Sequence, residues 1–454
     1  MKNYFLLIIF TTSIFGLALR LFGIDWDNGL LFHPDERQLL MLSTQIDFIN
    51  LDPKWYNYGP LPLYLLEIIT FGADLSAYDL RFPGRILSAI SDSISIILIG
   101  LIGNRFYSRA TGIISSILYS GCVLSIQASH FFTVDSFLVT AILGTFLVIS
   151  YIDSKINYTK IILPGVISAA GMSIKVSYMP MMVIIIISLI LIYKELIFSF
   201  SLKNLKILQI CLGFLISFFI SYFIFNPYSL INFNEFISAS TTQSEMGRGI
   251  LDFPYTRQYI DTSPYIYHLT QLIKVSLGPI LGVLGFSGTI LVLFRTSKNS
   301  DKLWLILLIW LLGYFSFFGL IHTKFIRYML PIIPVIIIFA SYFLTYIFNN
   351  YFTNFKKYKF IIIGILILCS FHYTFSFMNL YTWDHPANLA GNYISNNFKN
   401  NSTIIKEHWD ESVPLSSSYK VIELPMYDPD SSLKIRDISE AKNSILSGML
   451  DSMT

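Results

Sequence analysis

Long uncharged runs of apolar residues alternate with short polar turns along most of the chain. Runs such as "VIIIISLILIY" and "IIIGILILCSF" are typical of membrane-spanning helices, because lipid offers no partner to an exposed backbone polar group. The pattern predicts eleven spanning helices, at residues 4–22, 86–103, 110–128, 133–151, 161–176, 178–193, 207–225, 272–294, 303–321, 328–347 and 360–380. The fifth and sixth are short, and one bent hairpin around "KVSYMP" is an alternative.

The polar turns fall into a basic set and a mixed set. The basic turns hold Arg105, Arg109, Lys155, Lys160, Lys194, Lys203, Lys206, Arg295, Lys298, Lys302, Lys356, Lys357 and Lys359. Residues 23–85, 226–271 and 381–454 instead hold most of the Asp, Glu, His and Trp. Basic loops stay in the cytoplasm, so we predict an inner (plasma) membrane protein with its N-terminus inside and these three segments outside. "GLALR" is a poor cleavage site, so the first helix is interpreted as retained.

The outer tail has the composition of a soluble α/β piece. "PANLAGNYISNNF" predicts a helix, "STIIKEHW" and "KVIELPM" predict strands, and "SEAKNSILSGMLDSM" begins another helix. We therefore divide the chain into a transmembrane domain at 1–380 and an extracytoplasmic segment at 381–454. The chain stops before this last helical pattern ends, so we expect the segment to be truncated.

Composition agrees with a chain that lies mostly in lipid. Of its 454 residues, 54% are hydrophobic and 13% are charged, against about 25% charged in a soluble protein. The net charge of +3 comes without a block of like charge, so no nucleic acid partner is expected. Cys122, Cys211 and Cys369 all lie in apolar runs, which predicts small buried residues and excludes a disulfide framework.

The first outer segment opens with "LFHPDERQLL". Pro34 discourages a helix before it and permits one after it, which places Asp35 in a first helical turn. The positive end of the helix keeps a carboxylate there ionised, in a position that suits a base acting at the lipid boundary. The alternative is that Asp35 only caps the helix, while Glu36 and Arg37 are solvated.

Further charges accompany the outer ends of later helices. Arg81 and Arg85 begin the second helix, and Asp92 lies within it, either as a functional acid or as the partner of an arginine. His130 and Asp135 flank a short turn, from which both can face one outer cavity. The remaining candidates are Lys175, Gln243, Arg248, Arg257, Lys324 and Arg327.

Acids and cations at one lipid-facing surface suit transfer from a lipid phosphate. A carboxylate can take a proton from the acceptor, and cations can stabilise the departing phosphate. His33, Asp35, His130 and Asp135 have the atom types of divalent metal ligands, but their spacing matches no metal signature. No cofactor or metal is expected to be required.

"FHPDE", "YNYGPLPLYL", "GRILSAISD" and "ASHFFTVDSF" together resemble the membrane-embedded GT-C glycosyltransferases. The nearest branch is the dolichyl-phosphate-mannose protein mannosyltransferase type, with its aminoarabinose transferase relatives. The resemblance implies an all-α polytopic fold of about eleven helices and a polyprenyl-phosphate sugar as donor. It also implies a catalytic acid in the first outer loop, which is matched by Asp35 and Glu36, with Asp35 favoured.

The same resemblance implies roles for other residues. His130 and Asp135 match a second motif near donor or acceptor, and His33 and Arg85 accompany these motifs as substrate-binding candidates. Lys175 and Arg327 lie where cations for the donor phosphate are expected, and the alternative for both is snorkelling at the membrane edge.

The leading hypothesis is a cell-envelope glycosyltransferase that inverts the anomeric carbon in one in-line displacement. The acceptor is a protein, a lipid or a glycan, and protein glycosylation is one such role. A transporter or lipid flippase, with Asp92 and Lys175 on the substrate path, is an alternative. A non-catalytic envelope scaffold is another.

Overall fold

The computed structural model describes residues 2–152, 159–197, 204–251, 253–299, 302–351, 358–407 and 413–424. Lys155, Lys203, Lys356 and Lys357 of the predicted inner turns, and the predicted last helix of the tail, lie outside these residues. The helices are α1 (Lys2–Leu21), α2 (Pro34–Ser43), α3 (Leu61–Ile69), α4 (Ala77–Phe106), α5 (Arg109–Ser120), α6 (Val123–Ser129), α7 (Val134–Ser150), α8 (Thr159–Met172), α9 (Met179–Ile197), α10 (Asn204–Phe225), α11 (Tyr228–Ile231), α12 (Phe233–Arg248), α13 (Ile266–Gln271), α14 (Pro279–Asn299), α15 (Lys302–Phe318), α16 (Ile333–Asn350), α17 (Lys359–Met378) and α18 (Pro386–Asn397).

Each predicted span has a helical counterpart, which confirms an all-α polytopic membrane fold. Five described helices are long and apolar enough to cross a bilayer, and the bent pair α5 and α6 makes a sixth. Five shorter apolar helices match the other predictions, and the fifth and sixth spans are the separate helices α8 and α9. The whole is an assembly of packed apolar helices with polar connections at their ends.

The starts of two predicted spans were wrong. The second span begins at Ala77 rather than at residue 86, because the Ser76 hydroxyl accepts the Asp79 N–H at 3.2 Å and caps an earlier start. The eighth begins at Pro279 rather than at residue 272. Gly278 has φ +77° and ends the preceding π-helical turn, so the regular helix starts at the next residue.

The third span is broken in the middle. α5 and α6 meet at an angle of 57°. The hydroxyl of Thr374 on α17 donates to the freed carbonyl oxygen of Gly121 at 2.6 Å. A break of this kind is tolerated inside a membrane when a neighbouring helix satisfies the backbone.

α4 is the central helix of the core. It packs against α1, α5 and α7, and α5 approaches it closely at a pair of glycines. A Cβ on Gly112 would lie 2.3 Å from the carbonyl oxygen of Gly100, so neither helix has room for a side chain there. Small residues let membrane helices pack backbone to backbone, which fixes the position of the outer end of α4.

The buried acid Asp92 is paired, as one of the two alternatives predicted. The guanidinium of Arg20 on α1 lies 2.6 Å from its Oδ2, and the Tyr119 hydroxyl donates to its Oδ1 at 2.6 Å. All three groups are buried. Asp92 therefore joins α1, α4 and α5, and it faces no substrate path.

The cysteine prediction was only partly correct. Cys122 is fully buried at the break between α5 and α6, whereas Cys211 and Cys369 are exposed on the apolar surfaces of α10 and α17. Lipid instead of protein provides the apolar environment of Cys211 and Cys369, because outward-facing residues of a membrane helix contact the acyl chains.

The tail contains the predicted helix and strands. α18 is followed by β1 (Thr403–Glu407) and β2 (Lys420–Leu424), which pair in parallel with Thr403 opposite Lys420. His385, at the start of α18, stacks on Phe32 of the first outer segment, with 4.2 Å between ring centroids. The tail therefore contacts the segment that carries Asp35. The division at residue 380 stays a prediction.

Candidate active site

The first outer segment is held by a buried ion-pair network. The carboxylate of Asp27 accepts the backbone N–H groups of Gly29 and Leu31 at 3.1 and 2.9 Å. Arg85 on α4 bonds both Asp27 and Glu36 at 2.7 Å, and all three side chains are fully buried. The planar guanidinium group of an arginine has enough N–H donors to bond two carboxylates at once. The network ties α2 to the outer end of α4.

α2 begins as the sequence predicts, with Asp35 in its first turn. The N-cap is His33, whose Nδ1 accepts the Glu36 N–H at 3.3 Å. The alternative in which Asp35 caps the helix is therefore wrong. The Asp35 carboxylate is instead directed away from its own backbone, towards Arg327 and Tyr58.

Asp35 forms an ion pair with Arg327. Its Oδ2 accepts hydrogen bonds from the Arg327 guanidinium and, at 3.3 Å, from the Tyr58 hydroxyl. About a quarter of its side chain, 24%, is exposed. Burial raises the pKa of the Asp35 carboxyl, but the charges of Arg327, His33 and Lys175 and the hydrogen bond from Arg327 together outweigh it and hold that pKa below its usual range. Asp35 is therefore ionised at neutral pH.

A second ion pair lies next to the first. Lys175 donates to Oδ1 of Asp135 at 2.8 Å. Its ammonium also lies 5.1 Å from the ring centroid of Tyr58 and 5.8 Å from that of Tyr328. Tyr58 therefore contacts both ion pairs, and two carboxylates and two cations meet around one phenol ring.

Two cavities meet at these charges. The larger, of about 710 Å³, has charged and polar lining residues that include Asp135, Lys175, Gln243, Arg248 and Arg327. Its apolar lining residues include Leu138, Met179, Phe317, Phe318, Leu320 and Ile321. The smaller, of about 200 Å³, is lined by His33, Gln127 and Thr133 among others. Asp135 and Arg327 line both cavities, so they form a shared wall.

Glu36 and Arg85 line neither cavity, although both were predicted at the site. The two carboxylate oxygens of Glu36 accept from Arg85 at 2.8 and 2.7 Å, and Oε1 also accepts the Phe132 N–H at 2.9 Å. Both side chains are fully buried. Glu36 was predicted from its place beside Asp35, but adjacent residues of a helix point in different directions.

Asp35 itself lines neither cavity, although its partner Arg327 lines both, and three further predicted residues also line neither. His130 is fully buried, its two ring nitrogens lie 2.8 Å from the carbonyl oxygens of Ile126 and Phe22, and its ring stacks on Tyr381 at 4.0 Å. Lys324 is 3% exposed and donates to the His322 carbonyl at 3.0 Å. Arg257 is half-buried in the turn between α12 and α13.

Tyr58 is the main site residue that sequence reasoning missed. The segment "YNYGPLPLYL" served only as one of the motifs of the resemblance, and none of its residues was predicted at the site. Its Gly59 N–H donates to the Ile174 carbonyl at 3.0 Å, and a Cβ at Gly59 would lie 2.0 Å from the Ser173 oxygen. This close backbone approach brings Tyr58 against Lys175. The glycine was the available signal, since it permits two backbones to touch.

Within the part of the chain that the structure describes, no three His, Cys, Asp or Glu side chains come together as metal ligands. Of the four residues with suitable atoms, Asp35 and Asp135 are paired with cations, and both ring nitrogens of His130 face carbonyl oxygens.

The cap of α2 predicts a pH-dependent stability. Burial lowers the pKa of His33 to about 4, and the charges around it are those of Asp35, Arg327, Asp135 and Arg85. In the unfolded chain the pKa is about 6.5. Between these values the unfolded state binds more protons, so stability is lost as the pH falls. His33→Asn keeps a cap acceptor that does not titrate. We expect a smaller loss of apparent melting temperature between about pH 7 and pH 5 in this variant than in the parent protein.

His268 provides the internal control, because burial also lowers its pKa to about 4 and it is present in both proteins. The difference between the two pH profiles therefore reports position 33 alone. Parallel profiles would show that His33 contributes nothing to the pH dependence.

Comparison with known proteins now defines the class. The model of the dolichyl-phosphate-mannose-protein mannosyltransferase family matches residues 59–224, and that of the Alg9-like mannosyltransferase family matches residues 256–404. A search of curated proteins finds no match.

Solved structures share the fold at low identity. ArnT from Cupriavidus metallidurans bound to undecaprenyl phosphate has a TM-score of 0.60 and 12% identity, over 98% of this chain and 90% of that one. The archaeal oligosaccharyltransferase AglB from Archaeoglobus fulgidus, in complex with an inhibitory peptide and a dolichol-phosphate, has a TM-score of 0.57 and 14% identity, over 90% of this chain and 63% of that one.

The chain is therefore an integral membrane protein with the GT-C fold. With mannosyltransferase family models matching residues 59–224 and 256–404, it is a mannosyltransferase-like membrane glycosyltransferase, as the resemblance of its motifs implied.

Proposed function

We propose that the enzyme transfers a sugar from a polyprenyl-phosphate carrier to an acceptor on the extracytoplasmic face, with inversion of the anomeric carbon. The observation that carries this proposal is the Asp35–Arg327 ion pair, whose arginine lies in the wall shared by the two cavities. It sets a carboxylate and a phosphate-binding cation side by side. That is the requirement for activating an acceptor next to a departing phosphate.

The larger cavity suits the donor. Its apolar lining matches an isoprenoid chain, and Lys175 and Arg327 can bind a phosphate through charge-assisted hydrogen bonds. Arg248 lies in the same cavity and adds a third positive charge. The undecaprenyl phosphate in the ArnT structure and the dolichol-phosphate in the AglB structure support a lipid phosphate as the ligand of this fold.

We assign the smaller cavity to the acceptor, because it is lined by His33 and shares the wall of Asp135 and Arg327 with the larger cavity. The acceptor hydroxyl or amine attacks the anomeric carbon, and the bond from that carbon to the phosphate oxygen breaks. The lipid phosphate leaves with the bonding electrons, and the acceptor proton passes to the Asp35 carboxylate. One in-line displacement inverts the configuration.

Arg327 makes Asp35 a weak base in the free enzyme, because it favours the ionised carboxylate. A donor phosphate that binds Arg327 competes with Asp35 for the guanidinium. The basicity of Asp35 therefore rises when the donor is in place. Orientation of the acceptor remains its larger contribution, with proton transfer late.

The other predicted site residues divide by location. Asp135, Lys175, Gln243 and Arg248 line the donor cavity and are assigned to substrate binding. Glu36 and Arg85 are assigned to positioning, because their buried pairing orients α2 and hence Asp35. The acceptor class (protein, lipid or glycan) stays open. Membrane lipid is expected around the apolar helices, and nucleic acid is not an expected partner.

Orientation follows from the two ends of α4. Arg85 supports the site at one end, and Arg105 lies 20 residues later, about 30 Å along the helix axis. Basic turns favour the cytoplasm, which supports a site on the outer face of an inner or plasma membrane, with the N-terminus inside. The transporter alternative loses its main sequence support, since Asp92 and Lys175 are both paired.

The test is transfer by purified enzyme in detergent. We expect release of polyprenyl phosphate from a radiolabelled polyprenyl-phosphate mannose, with the sugar recovered on an envelope fraction of the parent cell in inverted configuration. Detergent provides no sealed compartment, so transport cannot give this result. Retention of anomeric configuration would contradict the single displacement, and activity only in sealed vesicles would favour a transporter.

A further inference from the structure

One face of α12 forms a polar wall of the donor cavity. Ser240, Gln243, Ser244 and Gly247 all line it, and their spacing of three, four and seven residues places them in one stripe. The opposite face of the helix carries the exposed Thr241 and Thr242, which do not line it. The cavity therefore combines this neutral hydrogen-bonding stripe with apolar residues of other helices and with the charged Asp135, Lys175, Arg248 and Arg327.

The stripe has unused hydrogen-bonding capacity. The Ser240 hydroxyl is buried without a partner among the described residues. Buried polar atoms are nearly always satisfied in native proteins, so an unpaired hydroxyl at a cavity wall is available to a polar group of a ligand. Gln243 adds an amide with two donors and a carbonyl acceptor.

The same helix is attached to the segment that carries Arg327. The hydroxyl of Thr323 donates to the Met246 carbonyl at 2.9 Å, and its N–H donates to the Gly247 carbonyl at 3.1 Å. Thr323 precedes Arg327 by four residues. A sugar is bonded directly to its carrier phosphate, so a phosphate held by Arg327 brings the sugar to the end of α12.

Gly247 leaves room in this stripe. A Cβ added there would meet nothing within 4 Å. A side chain at position 247 would therefore enter the cavity without striking the protein. The position can set the size of the group that fits against the stripe.

We propose that Ser240, Gln243 and Ser244 bind the hydroxyl groups of the donor sugar and that the space at Gly247 sets its size. This inference rests on the proposed function. A site that hydrogen-bonds substrate hydroxyls discriminates strongly against analogues that lack them.

The first test separates sugar binding from phosphate binding. Gln243→Ala is expected to lower kcat/KM for polyprenyl-phosphate mannose by about 10- to 100-fold, the loss of hydrogen bonds at a desolvated site. Its affinity for polyprenyl phosphate without sugar is expected to stay within about twofold of the parent value. Thr241→Ala, on the opposite face of the same helix, is the matched control and is expected to change neither quantity.

The second test changes space without removing a contact. Gly247→Val is expected to impair a hexose donor more than a pentose donor while the enzyme remains folded, because nothing within 4 Å opposes the new side chain.

Two results would overturn the inference alone: unchanged kcat/KM in Gln243→Ala, or an equal loss of affinity for sugar-free polyprenyl phosphate. A parent enzyme that releases no polyprenyl phosphate from any sugar donor would overturn the proposed function, and this inference with it.

Discussion

Replacing Asp35 by Asn is expected to reduce sugar transfer by about 10²- to 10⁴-fold, the usual loss when a positioned acid–base group is removed. Asparagine has nearly the same shape, so α2 and its His33 cap remain. It cannot accept the acceptor's proton, and it holds the acceptor less strongly. The measurement is the single-turnover rate of the purified variant with polyprenyl-phosphate mannose.

Donor binding by the Asp35→Asn variant is an independent measurement, and unlike transfer it is not expected to fall. Asp35 competes with the donor phosphate for Arg327, and a neutral side chain at position 35 removes that competition. Affinity for sugar-free polyprenyl phosphate is therefore expected to be equal to that of the parent or tighter. A misfolded variant would lose affinity instead.

Asp47→Asn is the matched control. Asp47 is an exposed carboxylate of the same outer segment, and its Oδ1 accepts the N–H groups of Ile49 and Asn50, which an asparagine oxygen can also do. Transfer by this variant is expected to match the parent enzyme. Near-parental turnover in Asp35→Asn itself would remove Asp35 from the mechanism.

Replacing Arg85 by Met is expected to destabilise the protein by about 3–5 kcal/mol, since it leaves the buried carboxylates of Asp27 and Glu36 without their cation. Methionine fills much of the same volume, so the effect comes from charge rather than from a cavity. The measurement is the apparent melting temperature in detergent. Because α2 loses its attachment to α4, transfer is expected to fall as well.

The charge argument has its own test. Adding Asp27→Asn and Glu36→Gln to Arg85→Met neutralises both carboxylates while keeping acceptors for their backbone partners. We expect this triple variant to melt above the single variant. Arg109→Met removes an exposed arginine from α5 and is expected to leave the melting temperature unchanged. A triple variant no more stable than Arg85→Met would refute the explanation.

Asp35 and Glu36 show that residue type and position in the sequence do not determine which cation a carboxylate meets. Both are acids in one helical turn beside a proline, and the sequence motif treats them as a pair. The structure separates them, because one carboxylate meets Arg327 and the other meets Arg85. His130 is similar: its place beside a turn suggested a cavity, whereas its ring lies between two backbone carbonyls.

By itself, the sequence determined the membrane class, the presence of the spans and the start of α2. These properties depend on local composition, periodicity and the backbone restriction of proline, which any stretch of chain carries with it. Tertiary structure alone decided which cation faces which carboxylate, that Gly59 brings Tyr58 against Lys175, and that α12 lines the cavity beside Arg327. Such pairings join residues up to 292 positions apart, and they depend on how helices pack against each other, which no local pattern encodes.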